Sequence, residues 1–175
     1  MENQTIAPAA PVQPTRPRSR RKGVSKGMPY ASATAGNRAR EETTKWLRRL
    51  GCEGIGFYDH FEEHELELAF KHHGQAYRLL ASAKGYAQRL LKERPYNGMR
   101  RRSRTEYEQE LLEQGRIAIN SILRDWAKGA VTGVESGMLK FEAVFMPYMI
   151  TADGRTVHER IGEMKLLPAP EKDES

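Results

Sequence analysis

Apolar residues first recur at helical spacing. Trp46, Leu47 and Leu50 form a stripe over residues 38–50, with Asn37 placed to cap the start and Gly51 to stop the end. The period then changes to two. CEGIGFY reads as a short strand, and in ELELAFKH the residues Leu66, Leu68 and Phe70 alternate with Glu65, Glu67 and Lys71. His73-Gly74 fits a tight turn, and QAYRLLA returns as a third strand. Ser82 caps a helix over 83–93, which ends where Arg94 precedes Pro95. This order, α-β-β-β-α, predicts an α+β fold: a small antiparallel three-stranded sheet packed on helices.

A longer helical pattern follows. Thr105 or Ser103 opens it, Glu106, Glu108 and Glu110 suit its N-terminal dipole, and Tyr107, Leu111, Ala118, Ile122 and Trp126 carry its apolar face. Gly129, Gly133 and Gly137 recur every four residues. If the helix runs to about 136, they form one smooth ridge, with Gly137 as the left-handed stop. A helix over 139–149 presents Phe141, Phe145 and Met149 on one face. TADGRTV carries an Asp-Gly turn, and a short helix over 157–166 closes the domain.

Composition sets the boundaries. Residues 1–30 are rich in Pro, Ala, Ser and Arg and have almost nothing to bury, so they are expected to be a disordered basic arm. Residues 31–167 make a single α+β domain, and 168–175 a polar tail. Of the formal net charge of +6, the arm carries +5, which leaves the remaining 145 residues near neutral. No apolar run approaches the roughly 18 residues of a membrane span. One cysteine, Cys52, rules out an intramolecular disulfide and suits a reducing compartment, so a cytoplasmic protein is expected.

Enzyme signatures are weak. There is no phosphate loop of the GxxxxGK[ST] or GxGxxG type, no GxSxG elbow and no carboxylate pair placed for acid–base work. His60-Phe-Glu-Glu-His64 matches HxxEH, but zinc binding by that pattern needs a helix, and the segment lies between two strands as a charged turn. We therefore expect no catalytic residues, no metal and no cofactor. The arginine clusters are the strongest signal. Arg100, Arg101, Arg102 and Arg104 stand before a helix N-terminus, where the dipole disfavours cations unless they are solvated or meet an anion. Arg16, Arg18, Arg20, Arg21 and Lys22 form a second cluster in the arm. Short basic runs also serve as plain solvated surface, but two of them on a near-neutral chain point to phosphate contacts with DNA or RNA.

Two resemblances accompany these features. The order α-β-β-β-α resembles the double-stranded RNA-binding domain. That family's lysine-rich start to the second helix is reduced here to Lys84 and Arg89 in SAKGYAQRLL. The stretch from about Ile119 to Val157, INSILRDWAKGAVTGVESGMLKFEAVFMPYMITADGRTV, resembles small uncharacterised proteins of tailed bacteriophages and prophages. That likeness implies a phage or prophage origin and supplies no activity. The sequence thus predicts a non-enzymatic nucleic-acid-binding accessory protein. The alternative is a phage inhibitor or adaptor that binds a protein partner, or a second copy of itself, through the glycine ridge and the Phe141/Phe145 face.

Overall fold

The computed structural model describes residues 27–34, 36–98 and 102–164. Helix α1 (Gly36–Arg49) ends as Gly51 turns left-handed at φ 78°, a conformation that costs glycine nothing. Strands β1 (Glu53–His60), β2 (Glu65–His72) and β3 (Gln75–Ser82) form an antiparallel meander in that order. Its register sets Phe57 opposite Leu68 and Leu68 opposite Leu79, with Phe70 opposite Tyr77, so the alternation read in the sequence puts one apolar face inward. The β2–β3 turn has φ 48° at His73 and 76° at Gly74, the pair of positive values that a two-residue hairpin needs.

Ser82 ends β3 and caps α2 (Ala83–Glu93) by accepting a hydrogen bond from the Gly85 amide. Helix α3 (Arg104–Glu135) starts at Ser103, not Thr105, with a reciprocal capping box between Ser103 and Glu106. It runs without a break to Ser136, and Gly137 stops it at φ 73°.

Both short helices pack along α3. Helix α1 lies parallel to its C-terminal half: Arg40 reaches Asn120 and Arg49 reaches Glu135. Helix α2 lies antiparallel to its N-terminal half, held where Gly115 meets the backbone of Ala83 and where the Tyr107 hydroxyl donates to the Arg94 carbonyl. One core, built on Leu66, Leu79, Leu90, Leu111, Ile119 and Leu123, lies between α2, α3 and the sheet. The other, built on Leu47, Leu68, Phe70, Tyr77 and Phe145, lies nearer α1 and the C-terminal segments. Trp126 packs against both.

Four boundaries differ from the sequence reading. Helix α1 already begins at Gly36, so Asn37 lies in its first turn instead of capping it. The helix expected over 139–149 is α4 (Phe141–Phe145) followed by a 3₁₀ turn at Met146–Tyr148, because Pro147 has no amide to continue an α-helix. Met149 and Ile150 then leave as extended chain and pair with the free edge of β3. The last helix, α5 (Val157–Glu163), opens on a Thr156–Glu159 capping box; residues 165–175, the expected polar tail among them, lie outside the described residues. The folded part also starts before residue 31. The Met28 amide donates to Glu93, the Tyr86 hydroxyl to the Pro29 carbonyl, and the Tyr30 hydroxyl to Asp125.

Candidate nucleic-acid interface

Of the sequence-predicted site, Arg16, Arg18, Arg20, Arg21, Lys22, Arg100 and Arg101 lie outside the described residues. Arg102 and Arg104 are described, at the entrance to α3, and both are exposed. Arg102 pairs with Glu110, and Arg104 pairs with Glu108 at 2.8 Å. Their cost beside the helix N-terminus is thus offset by carboxylates one or two turns along the same helix. Exposed pairs of this kind contribute little to stability.

The described residues carry equal numbers of basic and acidic side chains, so any positive surface they offer is local. It lies elsewhere than expected, between α1 and α3. An open groove of about 470 Å³ is lined by Glu42, Lys45, Trp46, Arg49, Arg124, Asp125 and Lys128. Helical spacing projects Lys45, Arg48 and Arg49 from the last two turns of α1, where the dipole favours cations. Lys128 comes from the facing helix, brought there by the parallel packing of α1 on α3.

Charge pairing inside the groove is uneven. Arg124 lies 2.8 Å from Asp125 and 3.6 Å from Glu42, and Arg49 is 2.6 Å from Glu135. Asp125 also accepts from the Tyr30 hydroxyl at 2.7 Å. Its carboxyl is held below the usual range, first by the Arg124 hydrogen bond and then by that of Tyr30, while the Tyr30 hydroxyl is correspondingly raised. The groove's carboxylates are therefore committed. Arg48, on the neighbouring face of α1, and the groove's own Lys45 and Lys128 have no carboxylate within 4 Å among the described residues.

Trp46 lies among these cations. The Arg49 guanidinium sits 4.8 Å and the Lys128 ammonium 5.8 Å from its ring. The sequence stripe placed Trp46 in the core with Leu47 and Leu50, and the structure corrects this. Leu47 is fully buried, but Trp46 stays half-buried and belongs to neither core. The run KWLRR was a legible hint; Lys128, 83 positions after Lys45, could be joined to it only by the fold.

The other singled-out residues are placed as follows. His60–His64 spans the end of β1 and the turn to β2, with His60 3.1 Å from Glu67 and His64 Nδ1 3.2 Å from Arg116. Of the Phe141/Phe145 face, Phe145 is fully buried, and half-buried Phe141 stacks on it and on His72. Within the chain the glycines receive no packed helix: Gly129 and Gly137 face open space, and Gly133 lies against the side chain of Leu139. No family model matches the chain, and neither does any curated protein or solved structure.

Proposed function

We propose that the protein is a non-enzymatic accessory protein, of phage or prophage origin, that binds nucleic acid through phosphate contacts. In the folded domain the contact surface is the C-terminal half of α1 together with the α1–α3 groove. The arginine clusters at 16–22 and 100–104 are proposed to supply further phosphate contacts. One observation carries this reading: Lys45 and Lys128, two cations without carboxylate partners, meet from two helices in the groove that holds the half-buried Trp46 indole, and Arg48 adds a third on the neighbouring face of α1. The helix dipole accounts for Arg48 and Arg49 at the end of α1, but not for Lys128 on another helix or for an indole kept out of the core.

Counterion release tests it. On duplex DNA each neutralised phosphate adds about −0.9 to the slope of log affinity against log salt. The triple variant Lys45→Ala, Arg48→Ala, Lys128→Ala should flatten that slope by about two to three units. Arg100→Ala, Arg101→Ala, Arg102→Ala made together should flatten it by a similar amount if the loop cluster also reaches the backbone. Full-chain protein that binds neither DNA nor RNA at low salt, or slopes unchanged in both variants, would exclude phosphate binding.

A further inference from the structure

We propose that the α1–α3 groove takes an unpaired base onto the indole of Trp46, so that the protein prefers single-stranded nucleic acid over duplex. This rests on the phosphate-binding reading and gives its site a substrate class.

The two tryptophans are both half-buried but keep different company. Trp126 joins both cores and meets the rings of Phe145 and Tyr148 edge-on at 5.7 Å. Trp46 joins neither, and its ring partners among the described residues are cations. A half-buried indole outside both cores leaves part of its apolar surface open in the groove. An indole flanked by phosphate-binding cations is the platform on which nucleobases stack, and that contact tolerates any base because each has a π face.

The groove's size and chemistry agree. About 470 Å³ is the scale of a small-molecule pocket, room for a nucleotide-sized group. A base still paired and stacked within a duplex cannot enter a slot between two helices without leaving its neighbours. Lys45 on one side and Lys128 on the other can take the phosphates before and after the inserted base. Glu42 and Asp125 also line the groove, and Arg124 neutralises both. The chemistry is shared by single-stranded DNA and RNA: a π face between two phosphates.

The test uses the full chain at low salt with oligo(dT), oligo(U) and a duplex of equal length, read by anisotropy and by tryptophan quenching. Single strands should bind more tightly than duplex and quench the Trp46 emission; a preference for DNA, for RNA or for neither all fit. Trp46→Ala should weaken single-strand binding by about 5- to 150-fold, the usual worth of one stacked base, and leave duplex binding and the salt slope unchanged. Trp46→Leu keeps apolar bulk in the groove and removes the π face, so it should behave as the alanine variant does, and Trp46→Phe should restore most of the affinity. Melting curves of all three establish that they fold. If Trp46→Ala and Trp46→Leu weaken single strand and duplex equally, or weaken neither, while Lys45→Ala still weakens both, the stacking proposal fails and phosphate binding stands. If the full chain binds no oligonucleotide, both fail.

Discussion

Glycines in one helix can have opposite consequences, and α3 contains both kinds. At Gly115 an added Cβ would lie 2.6 Å from the backbone carbonyl oxygen of Ala83, where no flexible side chain can move aside. At Gly129 it would meet nothing within 4 Å. Gly115→Ala should therefore push α2 away from α3 and cost about 1 to 2 kcal/mol, a net of overpacking and regained helix propensity. Gly129→Ala should instead raise stability by about 0.5 to 1 kcal/mol. Thermal melts of the two variants should move in opposite directions, and shifts of the same sign would show that α2 does not bear on Gly115. The sequence marked Gly129, Gly133 and Gly137 by their even spacing and left Gly115 unremarked. Spacing exposes a helical face; it cannot show that a backbone 32 positions upstream comes to rest against one residue of it.

Elements were more legible than their ends. The alternation Leu66, Leu68, Phe70 and the helical stripe of α3 survive in the structure because each buries one face, and burial enforces period. The failures came where one residue overrides a pattern. Phe141, Phe145 and Met149 hold helical spacing, yet Pro147 lies inside that span and converts the last turn to 3₁₀. At the other end, Met28 and Tyr30 were averaged into a Pro- and Arg-rich arm, although Met28, Tyr30 and Ala31 pack on the α2–α3 core. The strap they form crosses α3, its Tyr30 and Ala33 carbonyls accepting from Gln114 and its Tyr30 hydroxyl donating to Asp125. Tyr30→Phe should cost about 1 kcal/mol in urea unfolding at neutral pH. The bond also helps to hold the Asp125 carboxyl down, so its contribution is present above the unfolded carboxyl value near 3.8 and is lost as pH falls through the folded value. The difference between wild type and variant should therefore narrow in acid below pH 4. A difference that is constant with pH would mean that the hydroxyl does not act on Asp125.

Charge is distributed unevenly over the whole molecule. Lys45, Arg48 and Arg49 lie at the α1 end beside the start of β1, while Glu62, Glu63, Glu65 and Glu67 gather around the β1–β2 turn. Eight residues of strand put roughly 25 Å between these ends, beyond a Debye length of about 8 Å at physiological salt, so the acidic turn does not quench the basic groove. Sequence-wide charge could not show this, because the described residues sum to neutral and the separation exists only once β1 is extended. The same end of the sheet holds the C-terminal segments. His72, last in β2, stacks on Phe141 at 4.0 Å and meets His73 edge-on at 4.1 Å, and Phe141 packs in turn on Tyr77 and Phe145. His72 Nδ1 is buried with no hydrogen-bond partner among the described residues. Burial, and then His73, lower the imidazole's pKa from 6.5, while Glu142 acts the other way. The unfolded chain therefore binds this proton more readily than the folded one. The stabilisation from neutral His72 is complete above pH 6.5 and is lost as pH falls through the folded value. His72→Phe keeps a ring on Phe141 and removes the titration; the other histidines remain as a common background in both proteins. Urea midpoints measured from pH 8 to pH 5 should fall more steeply for wild type than for His72→Phe. Parallel curves would show that the aromatic stack tolerates an imidazolium.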